Sequence, residues 1–296
     1  MTPIKNKIYL SPADQLSALP EVAEADFNLK GFLDKAGAYF NKKHAYLTEK
    51  GRAAISGLLD TLKLTLSDEI YITTTFDYPN ISSCVTCTIF NFCKPSRVLT
   101  ENTKAIFIIH EFGVPHPKTF ELINAGKKRN IPVIEDCAHT INSYFDNGQK
   151  VGSVADWTIV SFPKIFPVHI GGLLIGNDHL NNIAAPGNDV TEQAKIVNSL
   201  WDSIPSVTTK RIELFNLYKI KLADSNYGFI GYELKNMMPW FFPMKAKEPG
   251  KLMNALRQNN IECGRWHGTN IIVLPLHQYL DSKDIDYICN IVVKNQ

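Results

Sequence analysis

Ile134-Glu-Asp-Cys-Ala-His139 ends one short apolar run, and Ser161-Phe-Pro-Lys164 ends the next, a few residues before Gly171-Gly172. Both runs are apolar enough to form strands buried on both faces of a sheet. In each case ionisable side chains follow the last apolar residue. Parallel sheets bind ligands outside the carboxyl ends of their strands. These two stretches therefore predict neighbouring parallel strands with a binding site beyond their ends.

Alternating strand and helix patterns extend outward from these two stretches. Apolar residues recur at helical spacing between Gly51 and Leu62, and Pro117–Asn130 ends in the basic residues expected near a helix C-terminus. Short apolar strands are predicted at residues 70–74, 103–110, 131–134, 156–161 and 171–176. Strands that alternate with helices at this spacing predict an α/β fold with a mostly parallel sheet.

The pattern changes after Asn177, where a polar stretch containing Pro186-Gly187 interrupts the alternation. Beyond it, helices are predicted near residues 207–222, 252–257 and 284–293, with a strand at residues 271–274. We therefore place a domain boundary near residue 185. This boundary gives a large α/β domain over residues 1–185 and a small C-terminal α/β domain over residues 186–296.

The composition excludes several classes of protein. The 296 residues are 45% hydrophobic and 20% charged, with a formal net charge of +2 at pH 7. This balance is typical of soluble globular chains and lacks the basic excess of most nucleic-acid-binding proteins. No apolar run approaches the roughly 18 residues of a membrane span, and Met1–Leu10 lacks the apolar core of a signal peptide. We therefore expect a cytoplasmic protein that binds neither nucleic acid nor membranes.

The cysteines do not suggest a disulfide framework or a metal site. Six cysteines are few for a chain of this length, and most lie in apolar surroundings, which favours reduced thiols. Cys84-Val-Thr-Cys87 has the spacing of a zinc or redox motif, but no second pair of cysteines or histidines completes four ligands. We therefore expect no metal centre.

Lys164 and Asp136 are the strongest candidates for chemistry. An apolar setting lowers the pKa of a lysine by desolvation, and a neutral lysine amine can form a Schiff base with a carbonyl compound. An aspartate at the end of a buried strand can hold a protonated pyridine nitrogen, as pyridoxal phosphate requires. Each residue also has a structural interpretation: Lys164 as a surface lysine in a loop, and Asp136 as the cap of a following helix.

Together these motifs resemble the DegT/DnrJ/StrS family of sugar aminotransferases, which are fold-type I pyridoxal phosphate enzymes. The resemblance rests on Glu135-Asp136 with His139, on Gly152-Ser-Val-Ala-Asp156, and on Ser161, Lys164 and Gly171-Gly172. It extends to Gly51-Arg-Ala-Ala, His110-Glu-Phe-Gly113, Gly264–Trp266 and Leu274-Pro-Leu-His277. It implies an aspartate aminotransferase-like fold, with a mostly parallel sheet in the large domain and a small C-terminal α/β domain.

The family resemblance also implies roles for individual residues. Lys164 would bind pyridoxal 5'-phosphate and later shuttle the proton at the substrate carbon. Asp136 would hold the pyridine nitrogen and His139 would contact the ring, although His139 also fits a buried core histidine. The aromatic residue that stacks on the ring in the family aligns near Asn80-Ile81, with Phe76 or Tyr78 as possible substitutes.

The phosphate site implied by the resemblance combines Ser161 with the backbone amides of Arg52 and Ala53. Free amides and the helix dipole at a helix N-terminus favour an anion. Arg52 replaces a small hydroxyl residue of the family, so it either adds a cationic contact with the phosphate or turns away into a salt bridge. His110 and His267 are further candidates, for contacts with the substrate.

The function implied by the resemblance is amino transfer to a nucleotide-linked keto-sugar in surface polysaccharide (O-antigen or capsule) biosynthesis, by a homodimer with glutamate as amino donor. A chain of 296 residues would be a shortened member. The short Ser161–Lys164 loop and the lack of an Asn-Tyr-Arg-type motif after Asn177 keep a second hypothesis open, a non-catalytic homologue that binds or regulates. A pyridoxal phosphate enzyme of another reaction type, a dehydratase or lyase, would keep the same lysine and aspartate.

Overall fold

A computed structural model of the chain describes residues 7–15, 27–223, 225, 228–229, 234–266 and 268–295. In this part of the chain, seven strands between residues 44 and 176 form one sheet, and four strands between residues 228 and 274 form another. Helices accompany both sheets. The α/β class predicted from the sequence is confirmed.

The seven-stranded sheet has the order β1-β7-β6-β5-β4-β2-β3. Strands β2 to β6 are parallel, while β7 runs antiparallel to both of its neighbours, β6 and β1. The chain returns from β6 to β7 through a short connection without a crossover helix, and such a return produces antiparallel pairing. The bounds are β1 (His44–Thr48), β2 (Glu69–Thr74), β3 (Lys94–Ser96), β4 (Thr103–Ile109), β5 (Val133–Asp136), β6 (Trp157–Ser161) and β7 (Gly172–Gly176).

Helices cover both faces of this sheet. On one face α3 and α4 bury apolar residues against β2, β4 and β7. On the opposite face α5 packs on β4 and β5 in a separate cluster. A third cluster joins α2 and α6 to β1, β6 and β7. The predicted helices near residues 51–62 and 117–130 are confirmed as α3 and α5. The helices are α2 (Leu29–Tyr39), α3 (Gly51–Thr61), α4 (Ser83–Phe90), α5 (Thr119–Arg129) and α6 (Asn188–Leu200), after the single turn α1 (Pro12–Gln15).

The second sheet is antiparallel and has the order β10-β11-β9-β8. Its core combines one face of the sheet with three helices, and α9 begins with a capping box in which Asp281 and Asp284 bond each other's backbone amides. No helix in the described ranges is long and apolar enough to cross a bilayer. The elements are α7 (Ile204–Lys221), α8 (Pro249–Gln258), α9 (Ser282–Lys294), β8 (Gly228–Phe229), β9 (Phe242–Lys245), β10 (Gly264–Arg265) and β11 (Ile271–Leu274).

The core changes later in the chain than the predicted boundary at residue 185. Val190 and Ile204 pack into the core of the seven-stranded sheet, whereas Leu214 belongs to the core of the small sheet. The transition therefore falls within α7. Ile8 also belongs to the small-sheet core and pairs with Ile261, so residues from the start of the chain complete the second unit.

All six cysteines are free thiols. Cys84 and Cys87 are exposed on α4, and the other four are buried. In the described part of the chain, no group of three or more His, Cys, Asp or Glu side chains is arranged to hold a metal ion.

Two consecutive glycines allow α3 to begin close to the end of β6. Gly171 has φ +108°, and its amide donates to the Glu49 carbonyl at 2.6 Å. A Cβ on Gly172 would lie 2.5 Å from the Val160 carbonyl oxygen and 3.1 Å from the Gly51 nitrogen. The two glycines therefore set the distance between the first turn of α3 and the residues that follow β6.

We predict that Gly172→Ala destabilises the protein, because its Cβ must displace backbone rather than a flexible side chain. Overpacking of this kind costs about 1–3 kcal/mol. Gly250→Ala, on α8, is the matched control, since a Cβ there has no heavy atom within 4 Å beyond its chain neighbours and the backbone of its own helix. Urea unfolding of both variants tests the prediction, and equal midpoints would contradict it.

Candidate functional site

A cavity of about 210 Å³ opens at the carboxyl ends of β4, β5 and β6, facing the N-terminal turns of α3 and α4. It brings together five residues predicted from the sequence, Lys164, Asp136, His139, Ser161 and Arg52. Its other lining residues are Lys50, Gly51, Ile55, Thr74, Ile81, Ser82, Cys84, Val85, Ile109, Glu111, Ala138, Ile159 and Trp266. The side chains predicted to follow neighbouring strands thus meet at one edge of the sheet.

Asp136 and Lys164 form the electrostatic centre of the cavity. Asp136 is the last residue of β5, is 6% exposed and accepts a hydrogen bond from the Ala138 amide at 2.9 Å. Burial raises the pKa of Asp136, and the nearby Lys164 ammonium partly opposes that rise. Burial likewise lowers the pKa of Lys164, against the attraction of Asp136. Because desolvation disfavours both charges, the lysine is driven towards its neutral, nucleophilic amine.

The first turn of α3 supplies unused backbone donors beside this pair. Lys50 is the N-cap of α3 and makes no side-chain cap, and the first amide bonded within the helix is that of Ala54, to the Lys50 carbonyl. The Ser161 hydroxyl lies next to this turn and has no hydrogen-bond partner within the described residues. An uncapped helix N-terminus with an adjacent hydroxyl is suited to an anionic group such as a phosphate.

Arg52 and Ala53 lie where this turn meets solvent. Arg52 is exposed and lines both the cavity and a wider surface groove of about 1130 Å³, to which Ala53 also contributes. The described residues contain no ion pair of Arg52, so the alternative in which it turns away into a salt bridge receives no support from the structure.

His139 is held in place from two sides. Its Nδ1 accepts a hydrogen bond from the Phe112 amide at 3.3 Å, which assigns the proton of a neutral ring to Nε2. Its ring stacks on Trp240, with 3.8 Å between ring centroids. His139 therefore lines the cavity in a fixed orientation.

Trp240 was not predicted from the sequence. Besides stacking on His139, its ring lies 4.7 Å from Lys164 Nζ. Its amide donates to the Phe112 carbonyl at 3.1 Å, and the turn at Phe112 and Gly113 has φ values of +56° and +92°. Gly113 is needed there, because a Cβ would lie 2.1 Å from the Met238 carbonyl oxygen. The glycine of the His110-Glu-Phe-Gly113 motif is the sequence signal that could have indicated this close approach.

Glu111 and Ile81 are further cavity residues. Glu111 is 2% exposed and accepts a hydrogen bond from the Phe76 amide at 3.0 Å, and burial raises its pKa. Ile81 lines the cavity near the position where the family resemblance places a ring-stacking residue. Phe76 and Tyr78 instead pack in an aromatic cluster with Phe112.

His110 is not placed for the predicted contact with a substrate. It is completely buried, its Nδ1 accepts a hydrogen bond from the His116 amide, and its Nε2 donates to Glu135 at 3.2 Å. Both ring nitrogens are therefore used inside the protein, and His110 does not line the cavity. His267, the other candidate for substrate contact, lies outside the described residues.

Glu135 joins β5 to the loop before β6. It is fully buried, and its carboxylate accepts hydrogen bonds from the amides of Gly152 at 2.9 Å, Val154 at 3.2 Å and Ala155 at 3.0 Å, in addition to the bond from His110. Burial alone would raise the pKa of Glu135, but these donors hold it below its usual value. Glu135 thus anchors the chain between the two residues that carry the site, Asp136 and Lys164.

The sequence and the fold both show similarity to known aminotransferases. Residues 92–185 match the DegT/DnrJ/EryC1/StrS aminotransferase family. The chain is 33% identical over 95 residues to a UDP-4-amino-4,6-dideoxy-N-acetyl-beta-L-altrosamine transaminase of Campylobacter jejuni, an alignment covering 31% of this chain and 24% of that protein. It is 37% identical over 83 residues to a GDP-perosamine synthase of Escherichia coli O157:H7, covering 27% and 22%.

The chain therefore spans about a quarter of the length of the curated relatives it matches. Helicobacter pylori PseC, an aminotransferase involved in the biosynthesis of pseudoaminic acid, shares the fold with a TM-score of 0.80 at 16% identity, over 98% of this chain and 99% of that chain. The PLP form of Spr1654 from Streptococcus pneumoniae gives 0.77 at 17% identity, over 97% and 98%. The predicted family resemblance is confirmed for residues 92–185, and the predicted fold is confirmed for the chain.

We predict that Glu135→Gln destabilises the protein strongly. Both carboxylate oxygens of Glu135 accept hydrogen bonds from backbone amides, and in the variant a side-chain NH2, which is itself a donor, would face some of these amides. Leaving buried groups without partners costs about 1–3 kcal/mol, and more where a charged group was involved. Glu121→Gln, at an exposed position on α5, is the control. Denaturant unfolding measures both variants, and a Glu135→Gln protein as stable as the control would refute this anchoring role.

Proposed function

We propose that this chain, whose residues 92–185 match the DegT/DnrJ/EryC1/StrS family, is a pyridoxal 5'-phosphate-dependent aminotransferase that acts on a nucleotide-linked keto-sugar. The observation that carries the proposal is the pairing of Lys164 with Asp136 in one cavity, where burial lowers the pKa of the amine and raises the pKa of the carboxyl group.

The residues of the cavity fit this cofactor. Pyridoxal phosphate needs an amine for its aldehyde, a carboxylate for its ring nitrogen and donors for its phosphate. Lys164, Asp136 and the uncapped start of α3 with Ser161 offer these three groups around a single cavity. When bound, the cofactor supplies an electron sink for the carbon that loses or gains a proton.

The side chains of this chain would orient the reactants and move protons. The Lys164 amine, whose pKa burial lowers, is the group that would accept and return the proton at the substrate carbon. The Asp136 carboxylate is held by the Ala138 amide and would stabilise positive charge at the ring nitrogen. Ser161 and the α3 amides would fix the phosphate, and the Arg52 side chain adds positive charge at the same end of the cavity.

The substrate class comes from the named relatives, which act on nucleotide sugars. By the same analogy we propose glutamate as amino donor, a role in surface polysaccharide biosynthesis, a homodimer and a cytoplasmic location. The large groove beside Arg52 is open to solvent and shares Lys50 and Arg52 with the lining of the cavity, which is compatible with a substrate much larger than an amino acid.

We predict that the purified protein binds added pyridoxal phosphate with a yellow absorbance band, and that glutamate then bleaches this band. Lys164→Ala should lose the borohydride-reducible attachment of the cofactor, and turnover should fall by about a hundredfold to ten-thousandfold, the contribution of a positioned acid–base group. Lys128→Ala, an exposed lysine on α5, should behave as the wild type.

The outcomes separate the three hypotheses. A protein that stays colourless with added cofactor would overturn the proposed function. A yellow protein that glutamate does not bleach favours the non-catalytic homologue. Glutamate bleaching without amino transfer to any nucleotide-linked keto-sugar would overturn the proposed acceptor, and a dehydrated or cleaved product would then favour a dehydratase or lyase.

A further inference from the structure

A buried arginine contacts the backbone of the turn that carries Lys164. Arg211 is on α7, is 1% exposed, and its Nη2 donates to the carbonyls of Lys164 at 3.3 Å and Ile165 at 3.4 Å. These two carbonyls belong to the end of the 3-10 turn Phe162–Lys164. The guanidinium therefore contacts the backbone of the turn at Lys164.

Gln278 completes the contact from a third segment. Its Oε1 accepts from Arg211 Nη2 at 3.0 Å and from Nε at 3.3 Å, while its Nε2 donates to the Ile165 carbonyl at 2.9 Å. Gln278 follows β11, and α7 carries residues of the small-sheet core, whereas Lys164 follows β6 of the large sheet. Two side chains and two backbone carbonyls form one polar clamp, which we define as Arg211, Gln278 and the carbonyls of Lys164 and Ile165.

Stability alone does not explain this arginine. In the described part of the chain no carboxylate pairs with Arg211, and its Nη1 is buried without a hydrogen-bond partner. Burial lowers the pKa of Arg211 to about 9, so the side chain remains mostly cationic at neutral pH. A buried charge held only by neutral acceptors is costly compared with an apolar residue of similar size. Its contacts instead converge on the backbone of one turn.

We propose that Arg211, acting with Gln278, is a positioning residue that fixes the Lys164 turn and so directs the Lys164 amine into the cavity. The importance of that amine rests on the proposed function. The clamp matters because the turn is short and, within the described residues, its last two carbonyls accept hydrogen bonds from few other groups. Small displacements of a reacting group, of about 1 Å, can cost roughly a hundredfold in rate.

The test measures the Lys164 amine itself, in the full chain without cofactor. Trace acetylation with acetic anhydride at a series of pH values, followed by mass spectrometry, gives the midpoint at which each lysine becomes reactive. Wild-type Lys164 should become reactive at lower pH than the exposed Lys128. In Arg211→Met the released turn exposes the amine to water, and the Lys164 midpoint should rise by about one pH unit, which is a tenfold smaller neutral fraction at pH 7.

Additional variants keep the test decisive. Gln278→Leu removes the other side chain of the clamp from a half-buried position and should shift the Lys164 midpoint in the same direction, and Arg211→Lys should restore part of the wild-type value. Arg129→Met is the matched control, because Arg129 also donates to a backbone carbonyl, that of Thr100, but far from the cavity. Thermal unfolding identifies the folded variants, and Gln278→Leu decides the question if Arg211→Met does not fold.

Folded clamp variants that leave the Lys164 midpoint at its wild-type value would overturn the positioning role. A protein whose midpoint shifts as expected, but that never takes up pyridoxal phosphate, would support the clamp and overturn the proposed function. The two proposals therefore fail by different observations.

Discussion

The buried carboxylate of Glu135 is the interaction on which the arrangement of the site depends. One side chain satisfies three amides of the loop before β6 and a histidine that follows β4, so the end of β5 is tied both to the end of β4 and to the segment that leads into β6. The next residue is Asp136, and the chain after β6 leads directly to Lys164. Hydrogen bonds to an ionised buried group are among the stronger interactions in proteins, and they have a definite geometry. The relative position of the aspartate and the lysine follows from this geometry.

Local patterns were sufficient for the part of the fold that carries the site. The strands β4, β5 and β6 are continuous apolar runs, and their ionisable ends had to meet because parallel strands share an edge. The family resemblance, rather than the local pattern, added the opening residues of α3 and the pair Gly171-Gly172 to the predicted site. Lys164, Asp136 and Ser161 could therefore be predicted from the sequence as residues of one site.

Other features depend on contacts between distant segments, which local sequence does not encode. Trp240 and Arg211 reach the Lys164 region from elements far along the chain, and neither residue type is diagnostic of such a role. The substrate contact predicted for His110 depended on a similar long-range contact. A histidine after a strand can face either the cavity or the interior, and here its ring lies in the interior because it donates a hydrogen bond to Glu135. The boundary near residue 185 followed a polar stretch, but α6 returns to the first core despite that stretch.

The position of Ile8 has a consequence for how the chain folds during synthesis. Its partner Ile261 and most of the core around it come from the last third of the chain, so this pairing closes one of the longest loops in the protein. Contacts of such large sequence separation form late, because the entropy of loop closure must be overcome first. The large sheet, whose strands are complete by residue 176, can assemble on the ribosome well before the second unit. The segment around Ile8 then lacks its pairing partner until residue 261 has been made.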